Sequence, residues 1–420
     1  MTQTESVLAA LDQLLPTLRD VYRDVHAHPE LSMQEQRTAS IAATSLERTG
    51  YDVTTGIGGT GVVGLLANGD GPTVMLRADM DALPVREATG LPYASTATAT
   101  DADGHEVPVM HACGHDMHVA WLIGATTLLA QARAAWRGTV LAVFQPAEET
   151  AEGARAMIDD GLFERFPRPQ VVLGQHVMPG PAGEISYRAG TTQAAADSLE
   201  IRLFGRGAHG SMPESSVDPV VMAAATVLRL QTIVSRELAA TQAAVVTVGA
   251  LQAGTKDNVI PDDALLKVNV RSFDENVRRR VLDAITRIVN AEAEASGAPT
   301  PPQITTTEHY PLTVNDPAAT ARIAGALRAR FGADHVHELA TPVSASEDFG
   351  SFGTEWEVPS VFWYVGGTDP EQYRRAQEAG RVADDIPTNH NPAFAPVIDP
   401  TLATGVQAMV AAALTDLSET

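Results

Sequence analysis

The sequence predicts an α/β fold, a large domain with a mixed sheet and helices on both faces, interrupted by a small inserted α+β domain. Three observations carry this. At 420 residues the chain exceeds what one hydrophobic core normally serves, so two domains are expected. The first part alternates helix-like and strand-like segments, the pattern of a sheet flanked by helices. The middle part changes to strand, helix, two strands and helix, which suits a compact sandwich of its own.

Residues 8–25 and 38–49 carry apolar side chains at helical spacing, the second run ending at Gly50. Residues 61–66 and 73–76 are short apolar runs between turn formers, hence strands. A helix is expected over 118–135, a buried strand over 139–144, a helix over 153–160 and a strand over 171–175. Ligands gather at the carboxyl ends of strands in such folds. Asp79, Asp81, Glu148, Glu149 and His176 all fall just beyond these expected ends.

Further on, residues 198–204 alternate apolar Leu199, Ile201 and Leu203 with polar neighbours, as a half-exposed strand does. Left as an unprotected edge, such a strand would seek pairing with another chain. A helix over 219–238, rich in apolar positions, precedes strands at 244–250 and 264–273. A helix over 275–296, a Gly- and Pro-rich turn at 297–302 and a strand at 303–309 complete the insert. After Pro317 a helix, a strand at 361–365 and a terminal helix resume the first pattern. The expected division is 1–192 and 310–420 for the large domain and 193–309 for the insert.

Hydrophobic residues at 44% and charged residues at 19% are ordinary for a globular protein. With 29 basic against 52 acidic residues the net charge is −23, which repels phosphate backbones and anionic lipid heads. Neither nucleic acid nor a membrane is an expected partner. No stretch approaches the ~20 continuous apolar residues that span a bilayer, and residues 1–28 lack the basic start and compact apolar run of a secretory signal. A single cysteine allows no internal disulfide and points to the reducing cytoplasm. A lone thiol is most often a small buried hydrophobe, so any other role for Cys113 rests on its neighbours.

Those neighbours are His111-Ala-Cys113-Gly-His115-Asp116-Met-His118. A thiol and an imidazole two residues apart, on a glycine-containing loop before a helix, can face one metal ion. Asp116 can orient an imidazole. A turn with a buried cysteine and capping polar groups explains the segment taken alone just as well. Gln145-Pro-Ala-Glu148-Glu149 adds two adjacent carboxylates directly after an apolar strand. Adjacent side chains point apart, so one can bind metal while the other acts as a base; an acidic loop opening a helix is the plainer reading of that motif in isolation. His176 and His390 are further ligand candidates, each weak singly. Asp79 and Asp81 alternate across a strand end and can share a face, either to orient an imidazole or to cap backbone amides.

In this order and spacing the segments resemble the aminoacylase and carboxypeptidase clan of two-metal amidohydrolases. More narrowly they are similar to the branch of hippurate hydrolases, N-acyl-amino-acid amidohydrolases and indole-acetyl-amino-acid hydrolases. The matching pieces are His26-Ala-His28-Pro-Glu-Leu-Ser, Ala78-Asp-Met-Asp-Ala-Leu-Pro, Met110-His-Ala-Cys-Gly-His-Asp, Gln145-Pro-Ala-Glu-Glu and Gly207-Ala-His209-Gly. Asn258-Val-Ile-Pro, Ser346-Glu-Asp-Phe349 and His390-Asn-Pro extend the match over nearly the whole chain.

The resemblance implies two divalent metal ions held by Cys113, His115, Glu149, His176 and His390, with Glu148 as general base. Cys113 would bridge; His115 and His176 would complete one site, Glu149 and His390 the other. Zinc, manganese, cobalt and nickel all accept such donors. Asp79 stands where other branches of the clan have a ligating histidine. His26 and His28 belong to the signature and are expected to pack the helix. The insert would be the family's lid and dimerisation domain, with His209 stabilising the oxyanion, often across a dimer interface. Asn258 and Arg271 would hold the substrate's α-carboxylate, although Arg271 equally suits pairing with a nearby acid. Glu347 would lie near the site, orienting a ligand or the substrate. A homodimer, or a tetramer, is the expected assembly.

The implied reaction is hydrolysis of the amide bond of N-acyl-L-amino acids. A dipeptidase or carboxypeptidase of the same clan, or a metal-dependent binding protein without turnover, are the alternatives; Glu148 speaks against the last, because binding metal needs no spare base. Two departures border the site: residues 95–107, with Asp101, Asp103 and His105, form a longer approach than usual, and Thr150-Ala-Glu152-Gly153 replaces a glycine-rich run.

Overall fold

A computed structural model describes residues 2–419. The chain forms two compact units. One holds the residues up to Thr192, Val314–Thr341 and those from Asp348 onward; the other holds Gln193–Thr313 and Pro342–Glu347.

In chain order, after a short helix at Gln3–Leu8, the first unit holds helices α1 (Leu11–Ala27) and α2 (Gln36–Arg48) and strands β1 (Asp52–Ile57), β2 (Gly61–Asn68) and β3 (Thr73–Asp79). Helix α3 (His115–Gln131), β4 (Trp136–Gln145), β5 (Val171–Pro181) and β6 (Ile185–Tyr187) follow. The second unit comprises β7 (Ala195–Phe204), α4 (Pro219–Thr232), β8 (Ala244–Ala253), β9 (Asp263–Ser272), α5 (Glu275–Ala295) and β10 (Gln303–Tyr310). The chain returns to the first unit with α6 (Pro317–Phe331), β11 (Val336–Glu338), β12 (Ser360–Thr368) and α7 (Ile398–Ala413).

The sheet of the first unit runs β1-β2-β4-β3-β5-β12-β6-β11. Its centre, β4-β3-β5-β12, is parallel, while β1, β2 and β6 bring in antiparallel pairs, so the α/β fold has the expected mixed sheet. Asp79 ends β3 opposite Gln145 at the end of β4, which sets both carboxyl ends at one edge. The strand expected to stop at Gln175 continues through His176 to Pro181, because β12 pairs along that whole length and Tyr364 faces His176.

Helix α3 is buried from His115 through Leu129, as an all-round apolar helix must be. It starts three residues before the expected His118. Gly114 caps it in the left-handed region at φ 89, and its carbonyl accepts from Met117 N–H, so the turn closes early. Helix α7 lies against it without a side chain at Gly405, where an added Cβ would fall 2.1 Å from the Trp121 ring. The expected helix over 8–25 is α1, which starts at Leu11 and runs to Ala27, and a separate short helix, Gln3–Leu8, precedes it.

In the second unit the sheet order is β8-β9-β7-β10, all antiparallel. Leu199, Ile201 and Leu203 join Met222 and Leu230 of α4 and Val281 and Ile285 of α5 in one core. The expectation of an open edge at 198–204 is therefore corrected: β7 is paired on both sides. A period of two reports which face is buried, not whether neighbours are present. The edges are β8, with exposed Val245 and Leu251, and β10. Helix α4 exposes Val221 and Leu228, and past Thr232 it loosens into a π turn, Ile233–Glu237. Among the described residues no helix is long and apolar enough to cross a membrane.

Candidate metal centre

Four segments distant in sequence meet in the first unit. The turn carrying Cys113 depends on Gly114, where an added Cβ would lie 2.4 Å from Val177 Cγ1. The segment of His390 is fastened to that turn. The His390 N–H donates to the Ala112 carbonyl at 2.7 Å, and Asn389 Nδ2 donates to the carbonyls of Cys113 and Val177 at 3.0 and 3.2 Å. His390 itself sits in the left-handed region at φ 70. Glu148 and Glu149 follow β4 through a tight turn at Pro146-Ala147, with Ala147 also left-handed at φ 48.

The donor atoms of Cys113, His115 and His176 lie within 4.8 Å of one another, and so do those of Cys113, Glu149 and His390. Cys113 thus belongs to both groups. Its Sγ is 3.4 Å from His176 Nε2, and Glu149 Oε2 is 3.4 Å from His390 Nε2. Glu148 Oε2 stands 3.9 Å from His115 Nε2. The imidazoles are held by their other nitrogens: His115 Nδ1–H donates to the Asp81 carbonyl at 2.9 Å, and His176 Nδ1–H to the Val177 carbonyl at 2.7 Å. Each ring thereby presents Nε2 to the site, the usual orientation device for ligating histidines. The first group is buried, whereas the His390 side chain remains 55% exposed.

These groups fit a divalent cation. His115 Nε2 and Glu149 Oε1 are buried without a hydrogen-bond partner and face each other at 3.8 Å, an arrangement costly unless a positive charge sits among them. Burial pulls the His115 pKa down, but Asp79, Asp81 and Glu149 raise it to about 10. Without a cation the ring itself takes up the positive charge that these carboxylates call for, and a bound cation would displace that proton. Burial pushes the Cys113 thiol up, and Glu149, Glu148 and Asp79 push it further, so thiolate forms here only beside a cation. Burial and the neighbouring His118 depress His176, which keeps it neutral as a ligand requires. Thiolate and imidazole together suit a transition ion better than magnesium or calcium.

The surrounding carboxylates take distinct places. Asp79 accepts from His118 Nδ1–H at 2.5 Å and from Arg77 at 2.5 Å, and stands 3.9 Å from His115 Nε2. Burial would raise its pKa, yet His115, Arg77 and His118 hold it well below the ordinary range. Because His118 Nε2 accepts from Val177 N–H at 2.8 Å, both its nitrogens are engaged. Asp81 uses its carbonyl on His115 and its Oδ2 on the Glu149 N–H at 3.0 Å. Asp116 corrects an expectation: it bonds His26 Nδ1 at 2.6 Å, not an imidazole of the donor groups.

His26 corrects another. It is no mere packing residue but is fully buried between Asp116 and Glu87, the latter at 3.1 Å from Nε2. Burial lowers its pKa, and the two carboxylates more than reverse this, to about 9. Sequence reasoning also passed over Arg77, Glu87 and Glu35, and named His118 only as part of the Cys113 motif. His26 had a readable signal, since it continues the buried stripe Leu18, Tyr22, Val25 of α1, where a polar ring must find partners.

The remaining expected residues lie in the second unit. His209 and Asn258 are neighbours there. His209 pairs with Val259 across a short ladder, and the Gly210 N–H donates to the Asn258 carbonyl at 2.8 Å. Both are exposed. His209 Nδ1 accepts from the Ser211 N–H at 3.2 Å, which leaves the proton on Nε2. Among the described residues Arg271 pairs with no acid; its guanidinium donates to the Ser344 carbonyl at 2.8 Å and Ser346 Oγ at 3.0 Å. Glu347, at the end of that returning segment, is buried.

Comparison with known proteins agrees with this geometry. The chain is 39% identical over 334 residues to the hippurate hydrolase of Campylobacter jejuni, spanning 79% of this chain and 84% of that one. It is 36% identical over 363 residues to an N-acetylcysteine deacetylase of Bacillus subtilis, spanning 85% and 90%. Among solved structures it resembles the YxeP protein of Bacillus subtilis, described as a dinuclear metal-binding peptidase, with a TM-score of 0.75, 31% identity, and 96% and 98% of the two chains covered. The family model described as peptidase family M20/M25/M40 matches residues 75–414. On donor set, fold and sequence alike, the chain belongs to peptidase family M20/M25/M40.

Proposed function

We propose that the chain hydrolyses the amide bond of N-acyl-L-amino acids, releasing a carboxylic acid and a free amino acid, with two divalent ions held by Cys113, His115 and His176 and by Cys113, Glu149 and His390. One observation carries the reading. Donors from four separate segments converge with His115 Nε2 and Glu149 Oε1 left unpartnered, beside a second carboxylate, Glu148. When bound, the cations supply Lewis acidity that lowers the pKa of water and polarises an acyl carbonyl. Glu148 takes the proton from the attacking water and returns it to the departing amine nitrogen. His209 Nε2–H, provided by the second unit, donates to the oxyanion. Arg271 and Asn258 are the candidates for the α-carboxylate, and Glu347 for orienting substrate. No side chain becomes acylated, since Glu148 acts through water.

Zinc, manganese, cobalt and nickel are the candidate ions, told apart by reconstitution of the chelated protein. The thiolate among the ligands suits the reducing cytoplasm. A second copy of the chain is the proposed partner. The open edge β8 and the exposed Val221 and Leu228 of α4 support twofold pairing through the second unit. The test of function is turnover of hippurate, N-acetyl-L-cysteine and long-chain acyl amino acids against simple dipeptides, each with metal restored. Cleavage of dipeptides alone would favour the carboxypeptidase reading, and metal binding without any turnover would leave a binding protein.

A further inference from the structure

Glu35 is fully buried in the first unit, yet it is not among the donors Cys113, His115, Glu149, His176 and His390. Its Oε1 accepts two backbone N–H groups, from Met33 at 3.0 Å and from Ala147 at 2.9 Å. Its Oε2 accepts from Thr60 Oγ at 2.5 Å. Both amide donors belong to non-glycine residues in the left-handed region, Met33 at φ 63 and Ala147 at φ 48. That conformation costs a non-glycine residue of order 1 kcal/mol or more and persists only where the surroundings enforce it. One carboxylate oxygen thus enforces it at two places, and one of them is the residue before Glu148.

The far side of Glu148 is held in the same way. The Glu149 N–H donates to Asp81 Oδ2 at 3.0 Å, and Ser32 Oγ–H donates to that same oxygen at 2.6 Å. The backbone of Glu148 is therefore bracketed, with Glu35 on the preceding amide and Asp81 on the following one. Downstream the turn is closed by Gly153, whose N–H donates to the Ala147 carbonyl at 3.0 Å. An added Cβ there would fall 1.6 Å from the Pro146 carbonyl oxygen. Ser32 and Glu35 share one short segment. It is anchored by the Ala82 N–H to the Glu30 carbonyl, and by the Glu30 carboxylate on the amides of Arg37 and Thr38.

We infer that Glu35 is a positioning residue for the general base: it holds Ala147 in the left-handed conformation that aims Glu148. This rests on the reading of Glu148 given above. Burial and the charge of Asp81 push Glu35 up to about 7. In either protonation state Oε1 accepts both amides, and only the direction of the Thr60 bond reverses. Glutamine reproduces the protonated form, with its amide donating to Thr60 Oγ. The role is geometric, so it survives loss of the charge and not loss of the acceptor.

The experiment compares Glu35→Ala, Glu35→Gln and Glu35→Ala/Ala147→Gly with wild type, as manganese-reconstituted enzymes on whichever of hippurate and N-acetyl-L-cysteine is turned over. It reads kcat, KM, bound metal and Tm. Misplacing a reacting group by about 1 Å costs about 10²-fold. Glu35→Ala should accordingly lower kcat by about 10- to 100-fold, with KM within about threefold and metal content unchanged. Glu35→Gln should stay within about threefold of wild type. Ala147→Gly, which reaches φ > 0 freely, should restore part of the loss in the Glu35→Ala background.

A fall in Tm with wild-type kcat per folded molecule would overturn the proposal, as would loss of metal in parallel with kcat. If Glu35→Ala fails to fold, Thr60→Val loosens the same carboxylate more gently, by removing the donor that anchors Oε2 and steadies Oε1 on the two amides. It should lower kcat with KM and metal unchanged, and an unchanged kcat would count against the idea. Glu148→Gln separates the two readings. If that variant keeps its kcat, the base assignment itself fails; if it is inactive while Glu35→Ala is not, only the positioning role fails.

Discussion

Replacing His26 by Gln should flatten the alkaline limb of the stability profile. His26 lies buried between Asp116 and Glu87, with a pKa raised from the ordinary 6.5 to about 9. A group whose folded pKa is raised contributes its full stabilisation below the unfolded value and loses it as the pH rises through the folded value. The window is therefore pH 6.5 to about 9. At about 1.4 kcal/mol for each tenfold change, the contribution is about 3 kcal/mol at pH 6 and close to nothing at pH 10. The assay is urea unfolding of the metal-loaded protein at several pH values across that window, with reversibility checked. For an m-value of about 3 kcal/mol/M, the wild-type midpoint should fall by about 1 M more than that of the variant. Groups that titrate in both proteins cancel in the comparison. Midpoints that fall in parallel for the two proteins would show that His26 carries no proton linked to folding, and the buried imidazolium would be wrong.

Cys113→Ser should remove most of the bound metal and activity, read by metal analysis and turnover; a metal-free preparation with full activity would refute thiolate ligation. Glu148→Gln should keep metal and lose about 10²–10⁴-fold in kcat, whereas Glu149→Gln, next along the turn, should lose metal occupancy. Mixing Glu148→Gln with His209→Ala after subunit exchange should restore activity if His209 acts on the partner's site, and verified heterodimers without recovery would exclude that.

Much of the fold was legible because its signals are local. The strands ending at Asp79 and Gln145 and the helix behind Cys113 each announce themselves by period and by flanking Gly or Pro. Cys113, His115, Glu148 and Glu149 stood out because reactive residue types sat where apolar runs stop. What escaped depends on partners far along the chain. Glu35 looks like one more surface acid until Thr60 and Ala147 arrive from 25 and 112 residues away. His118 looked like part of a metal motif, but Asp79 and Val177 occupy both its nitrogens. Residues 198–204 showed which face is buried and could not show that β9 and β10 flank them.

The uneven burial of the two donor groups bears on how ions come and go. Cys113, His115 and His176 are sealed inside the protein, while His390 stands more than half exposed at the end of a loop. If ions are held as proposed, one among Cys113, His115 and His176 leaves only when several buried groups move, whereas one beside Cys113, Glu149 and His390 has a single exposed imidazole on its outer side. The two positions then have different exchange clocks. Brief dialysis against a weak chelator would strip the outer ion first and leave a protein with one equivalent, so the metal history of a preparation decides which species an activity measurement reports.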